Sequence, residues 1–587
     1  MNAKQLTGIV LGAGIVMTSS MQAESTLEAR WTGGGADKKW QMAENWIFAG
    51  EGGAVDGANV VFGADGRTLQ TVVGNQITGL VEIASLHYTN SSAFPAPTVN
   101  NAYWHVTEIA SNGILRISGA TAETNALWVG GYYGSGKNIT GARYLGDGEL
   151  EINAPGKNLL LFNKPSSSVG TSTLNLKDLP TFSAAVSNFI CGGIGVRAQL
   201  TLPVRSNAVD TITANLLSIN GSVIDGSATV LEMGSSNLFF CSEIQCSRPD
   251  DRAGCSTAWR FGSGLENPYL RIRGKDGESA CSAMTIGSLR DVVATSPYAA
   301  ISEVAWTNGH VDVRLDSLSI GEGRGFKWSS QTGECRAMLL MGRGTLEAGE
   351  IRLGTALPCS TSGAANALPA TGELLIYGGT AHAGNVFMAH SESANIQSAV
   401  GRLGLFAGAA LSVDETIVLG NREGDGNANT SIVQVCGGNL TVSGTMCPGE
   451  NNIHCRADVT VSNGYINVTN EFRIEEGRLT LGSAGILKGG RVVLTNTAAE
   501  VSVFIGKDGT TGTVEASDRI VLGGNLIVSD DSGLVNSGNG KTWRIIQGGI
   551  VEGSFAQVSL PPEMKIHYAA ESVSIFYSPK ATRILLF

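Results

Sequence analysis

The densest set of side chains able to do chemistry lies between Cys241 and Arg290. Asp250 and Asp251 stand beside Arg252, and Trp259, Arg260 and Tyr269 follow soon after. Neighbouring carboxylates next to a guanidinium suit proton transfer at a glycosidic bond or a sugar carbon. Trp259 and Tyr269 add flat, amphipathic rings against which a sugar could rest. These six residues form the candidate binding patch. Arg271, Arg273 and Lys275 raise its charge further. Because the stretch is the least repeat-like of the chain, it reads as an insertion emerging as a loop on one face, where repeat proteins often carry binding sites. The competing reading is a surface loop pinned by disulfides and covered with ordinary solvated charges.

Other groups fit chemistry less well. Asp414-Glu415 is a carboxylate pair at a corner, where Asp is a common turn residue. Asn421 to Asn429 (NREGDGNAN) is acidic and Gly-rich, but it matches neither calcium-loop spacing. The seven histidines are dispersed and form no HExxH-type ligand pair, and no GxSxG elbow precedes a helix. No catalytic residue, metal ligand or cofactor site is therefore assigned. Ten cysteines include the triplets Cys241, Cys246, Cys255 and Cys436, Cys447, Cys455, without paired CxxC spacing. They predict local or coil-to-coil disulfides mixed with buried free thiols.

The elements that would position such groups are written in repeats. Thr371 to His390, Val400 to Gly420, Ser431 to Gly449 and Ala457 to Ile474 share one pattern: an alternating apolar run, a small-residue corner, then two more apolar runs. Gly379, Gly408, Gly438 and Gly464 mark steps of 29, 30 and 26 residues, and Gly113 to Gly148 is a step of 35. Period-2 runs at this spacing, with no helical stripe, predict stacked coils of strands. A single coil cannot bury its apolar face, whereas a stack shares one core. The fold class is all-β: a β-solenoid, specifically a parallel β-helix with irregular coils of about 26–35 residues.

The opening of this solenoid carries Trp31-Thr32-Gly33, Trp40, Asn45-Trp46, Asp56 and Val60-Val61-Phe62. With the repeats starting near Gly372, Gly401, Ser431 and Ala457, this resembles the autotransporter-associated β-strand repeat family of secreted bacterial proteins, of planctomycete and verrucomicrobial type. The terminal strands Lys541 to Gly549, Ser554 to Pro562 and Ser572 to Tyr577 are similar to the closing segment of that family. The resemblance implies a secreted or surface-displayed solenoid and no shared catalytic residues. The three tryptophans read as a cap over the open end of the solenoid, with sugar stacking as the alternative.

Met1 to Ala23 has the charged start, apolar middle and short cleavage region of a secretory signal peptide, and no later run is long enough to span a bilayer. The net charge of −11 argues against a nucleic-acid partner. No barrel-like set of strands follows the solenoid, so the chain is not expected to carry its own outer-membrane pore. The expected organisation is a signal peptide over 1–23, a cap and first strands over 24–110, and irregular coils over 111–335 with an insertion near 241–290. Regular coils over 336–494 and a closing cap over 495–587 complete it. These features predict an exported, non-enzymatic structural or adhesive protein at the cell surface, in the matrix or in the outer envelope. Its partners would be extracellular polysaccharide or other surface proteins. A secreted polysaccharide lyase or hydrolase, or a glycan-binding protein on the same fold, is the alternative.

Overall fold

Alternating apolar residues force the chain into strands, and strand makes up 73% of the structure against 1% helix. The computed structural model describes residues 27–577 except 50–52, 64–72, 90–102, 131, 134–138, 162–163, 166–169, 194–195, 222–227, 248–255, 290–297, 325–332, 358–368, 392–397, 423–428, 450–454 and 533–540. The strands stack into three parallel ladders, here called faces A, B and C. Face A runs from Asn75–Ile77 to Gln557–Ser559, with every neighbouring pair parallel. Face B starts at Leu80–Ile83 and face C at Asn59–Phe62, and both end on Thr542–Gly553. Tyr298–Arg324 shows the connectivity in one strand, pairing in turn with Ser256–Phe261 on face A, Tyr269–Arg273 on B and Cys281–Leu289 on C. The molecule is a parallel β-solenoid. Its ladders cross from the irregular to the regular coils near residue 335 without a break.

Register decides what is buried. Because side chains alternate, each coil contributes inward residues to rows that continue from coil to coil. On face C, Leu86, Leu127, Leu159, Phe189, Leu217 and Ile244 fill one such row, all fully buried or nearly so. Each such side chain stabilises the stack by roughly 1.5–3 kcal/mol relative to exposure. A second row contains Leu161, Cys191, Ile219, Cys246 and Ile286. The cysteines thus take aliphatic slots as small apolar residues. No disulfide joins the eight described cysteines to one another, so the disulfide half of the sequence expectation is not met among them. Cys255 and Cys359 lie outside the described residues.

The step between registered residues is 30 from Thr380 to Ala410, 29 from Ala410 to Asn439 and 26 from Asn439 to Tyr465, close to the glycine spacing. Elsewhere it ranges from 20 (Ala457 to Gly477) to 45 (Ser256 to Ile301), wider than the predicted coils. Corners absorb the difference. One is the turn after Arg273, closed by the Gly274 amide donating to the Ser279 carbonyl at 2.8 Å. Where coils are tight, the backbone leaves no room for a side chain: a Cβ at Gly485 would lie 1.9 Å from the Val461 carbonyl oxygen.

Both ends leave the parallel pattern. Glu28–Trp31 pairs antiparallel with Trp46–Ala49. Above the first coil Trp31 meets Trp46 edge-on at 4.9 Å, Trp40 meets Trp46 at 5.3 Å, and Phe62 stacks on Tyr88 at 5.1 Å. Asn45, fully buried, donates to the Asp37 and Lys39 carbonyls and accepts from the Gly35 amide, which holds the glycine loop over this cluster. The Trp40 indole donates to Asn75 at 2.8 Å, tying the cluster to face A. At the far end Ser572–Tyr577 pairs antiparallel with both Thr542–Gly553 and Met564–Ala569. Ser572–Tyr577 thereby covers the last strand of face B, an edge that would otherwise template further strands.

Candidate functional site

Of the six candidate residues, the three described ones, Trp259, Arg260 and Tyr269, do not share one face. Asp250, Asp251 and Arg252 lie outside the described residues. In the described part of this stretch, Ser236–Cys246, Ser256–Phe261, Tyr269–Arg273 and Cys281–Leu289 are ladder strands. The charges hid this, because they occupy outward positions and alternate with the core. Trp259 points inward, fully buried, with its ring 5.8 Å from Phe239 and 5.3 Å from Trp306. It cannot serve as a sugar platform, because the core already covers it. Arg260, one residue on, points outward from face A and pairs with Glu232 at 2.9 Å. Tyr269 points outward from face B.

Around Tyr269 the ladder builds a polar cluster that sequence spacing alone did not assemble. Register places Tyr269 beside His310 and Arg271 beside Asp312. The Tyr269 ring stacks on the imidazole at 5.9 Å, and its hydroxyl donates to Asp312 Oδ2 at 3.3 Å. Arg273, almost fully buried, pairs with Asp312 Oδ1 at 2.5 Å and donates to the Asp312 carbonyl at 2.9 Å. Burial alone would push the Asp312 carboxyl up, but Arg273, Tyr269 and Arg271 together hold it below the ordinary carboxylate value. Burial and the Asp312 charge push the Tyr269 hydroxyl up. The cluster therefore holds an ionised acid and a protonated phenol, committed to each other. This arrangement locks neighbouring coils together.

Among the described residues, two of the concave surfaces along the rod stand out. One, of about 500 Å³, lies on face C near the N-terminal cap, with Glu28, Asn59, Glu123 and Trp128 among its walls. There His87 stacks flat against Trp128 at 4.1 Å, and burial pushes its imidazole below the ordinary value against the pull of the Gly130 carbonyl. The other runs along face B close to the C-terminal cap. It consists of two depressions of about 460 and 470 Å³ that share Glu515 and Gln547. Asn467, Lys488, Glu515 and Gln547 follow one another in register on successive coils. A signal for three of them was present in the sequence, since each sits three residues after a corner glycine: Gly464, Gly485 and Gly512. Among the described residues no group of three or more His, Cys, Asp and Glu could hold a metal ion. In the same residues no helix is long and apolar enough to cross a membrane.

No known protein family matches the chain, and no curated protein matches it as a relative.

Proposed function

We propose that this protein is exported and works at the cell surface or in the extracellular matrix as a non-enzymatic structural or adhesive rod. The observation that carries this reading is the set of three parallel ladders that runs from the first coils to the last, with antiparallel strand pairs at either end. Such a body resists bending, and it repeats its outer surface along one axis. That surface spends its charges on neighbouring coils. Arg116 bridges Glu82 and Glu151, Arg314 pairs with Glu347, and Glu373 is held between Arg336 and Arg402. Residual contacts would come from rows of Asn, Thr and Ser, each weak but repeated, and repetition multiplies affinity where geometry permits. The signal-peptide pattern of Met1 to Ala23 supports export.

Deletion of the chain in its producing cells tests the role. The reading expects weaker attachment to surfaces or to neighbouring cells, restored by the intact chain, with secreted polysaccharide-degrading activity unchanged. Loss of a depolymerising activity with normal attachment would overturn it in favour of a secreted lyase or hydrolase.

A further inference from the structure

We infer that the face B trough near the C-terminal cap binds a linear, uncharged polysaccharide lying parallel to the solenoid axis, one sugar per coil. The inference rests on the surface role proposed above and names the chemistry of its partner. The first argument is spacing. Asn467, Lys488, Glu515 and Gln547 occupy one outward row, one residue per coil, because their strands are paired in register. Neighbouring strands lie about 4.8 Å apart, close to the advance of one hexose along an extended glycan. The row thus offers a polar group to each successive sugar.

The second argument is chemistry. A sugar presents hydroxyls that both donate and accept, so its partner needs both functions along its length. Asn467 and Gln547 supply donor and acceptor together, Lys488 donates and Glu515 accepts. The two charges neutralise one another at 3.0 Å, so the row itself carries no net charge, and the Arg544 guanidinium beside it donates to Gln547 Oε1 at 3.2 Å. The Lys488 ammonium also lies 5.8 Å from the centre of the Tyr465 ring, which adds a flat apolar wall to the same stretch.

The third argument is shape. Beside the polar row the backbone turns inward through Gly489 and Ala516, paired in register, with Gly490 at the following corner. Their small side chains leave the surface depressed next to the row. Thr542, Arg544 and Ser574 of the closing strands extend the depression past Gln547. A peptide fits this site poorly: it would bind by adding to a sheet edge, and each strand beneath the trough is already paired on both sides.

The test uses the intact exported protein and a panel of soluble neutral hexasaccharides: β-1,4-glucan, β-1,3-glucan, β-1,4-mannan and β-1,4-linked N-acetylglucosamine. Calorimetry or ligand-observed NMR should show one of them binding, and binding more tightly than its own disaccharide. Asn467→Ala and Gln547→Ala should each weaken that binding by roughly five- to tenfold, with unchanged thermal unfolding. Ser517→Trp, which fills the trough from an exposed corner, should abolish it. Failure of every hexasaccharide to bind at millimolar concentration, or binding that all three variants leave intact, overturns the inference. Either result with the protein still displayed on cells leaves the surface role standing. Retention of the protein inside cells removes the reading on which the trough's role rests.

Discussion

Asp210 and Asn237 occupy the same inward position on consecutive coils of face B, in a row otherwise filled by Leu150, Phe182, Leu270 and Val311. Both are fully buried. Asn237 is satisfied: its carbonyl accepts from the Gly234 amide and its amide donates to the Gly234 and Tyr269 carbonyls, each at 2.9 Å. Asp210 is not: neither carboxylate oxygen has a partner of good hydrogen-bond geometry, and the Phe182 backbone offers only a weak contact. Burial pushes its carboxyl up to about 8, and the Phe182 backbone opposes this to a lesser degree.

This gives a pH dependence of definite sign. Between about pH 4 and pH 8 the unfolded chain releases the Asp210 proton while the folded chain keeps it, so this residue makes stability fall as pH rises, by about 1.4 kcal/mol per pH unit. Below that window the two states bind the proton alike and the effect vanishes. Asp210→Asn should remove this slope. Denaturant midpoints of both proteins from pH 5 to pH 9 check it; parallel curves would show that Asp210 is ionised in the fold.

Asp312 should behave in the opposite sense. Its carboxyl lies below the ordinary value, so the stability it contributes is present above the unfolded value and is lost as pH falls through the folded one. Asp312→Asn should destabilise the protein by about 3 kcal/mol at neutral pH, because Arg273 would remain buried without its counter-charge. The variant should also lose less stability on acidification than the parent. A neutral-pH loss well under 1 kcal/mol, measured by the same unfolding curves, would contradict the lock between coils.

Removing the Trp40 ring should open the N-terminal end. Trp40→Ala deletes a fully buried ring that touches Trp46 and Phe62 and donates to Asn75, at a cost of about 3–5 kcal/mol. In a stack whose coils contact only their neighbours, the loss should stay local. Hydrogen exchange should accelerate in strands from Glu28–Trp31 to Ser85–Tyr88 and stay unchanged in Gly333–Leu357. Uniform acceleration along the chain would mean that the solenoid unfolds as one unit.

The thiols should resist labelling in the folded state. Burial pushes Cys281 up to about 12 and Cys447 up to about 11, and Cys191, Cys241 and Cys246 higher still. At pH 8 these five remain protonated and poorly reactive. Iodoacetamide followed by peptide mass mapping should modify them only after denaturation, with Cys447, half-buried, the first of them to react. Recovery of native disulfides among the eight described cysteines would contradict their role as core residues.

The strand periodicity and the coil step were legible because both follow from local alternation and from glycine at corners such as Gly379 and Gly408, where φ is positive. The tryptophan cap was legible for a similar reason, as Trp31, Trp40 and Trp46 sit together in sequence. The placement of Trp259, Arg260 and Tyr269 was not. Trp259 and Arg260 are neighbours in the chain yet face opposite sides of one strand, while Tyr269 and Asp312 meet across coils more than forty residues apart in sequence. Contacts of that kind depend on the register between coils, and corners of unequal length conceal it. The same holds for Asp210: only the pairing with Phe182 and Asn237 reveals that it points inward.

The most direct test of the proposed role is protease shaving of intact producing cells, with absolute quantification of the protein in the cells, the shaved fraction and the medium. An abundant protein released from the surface by protease, with the cells still sealed, is the predicted result. Protein that stays protected inside sealed cells, or that is scarce and found in the medium together with polysaccharide-degrading activity, would contradict a surface structural or adhesive rod.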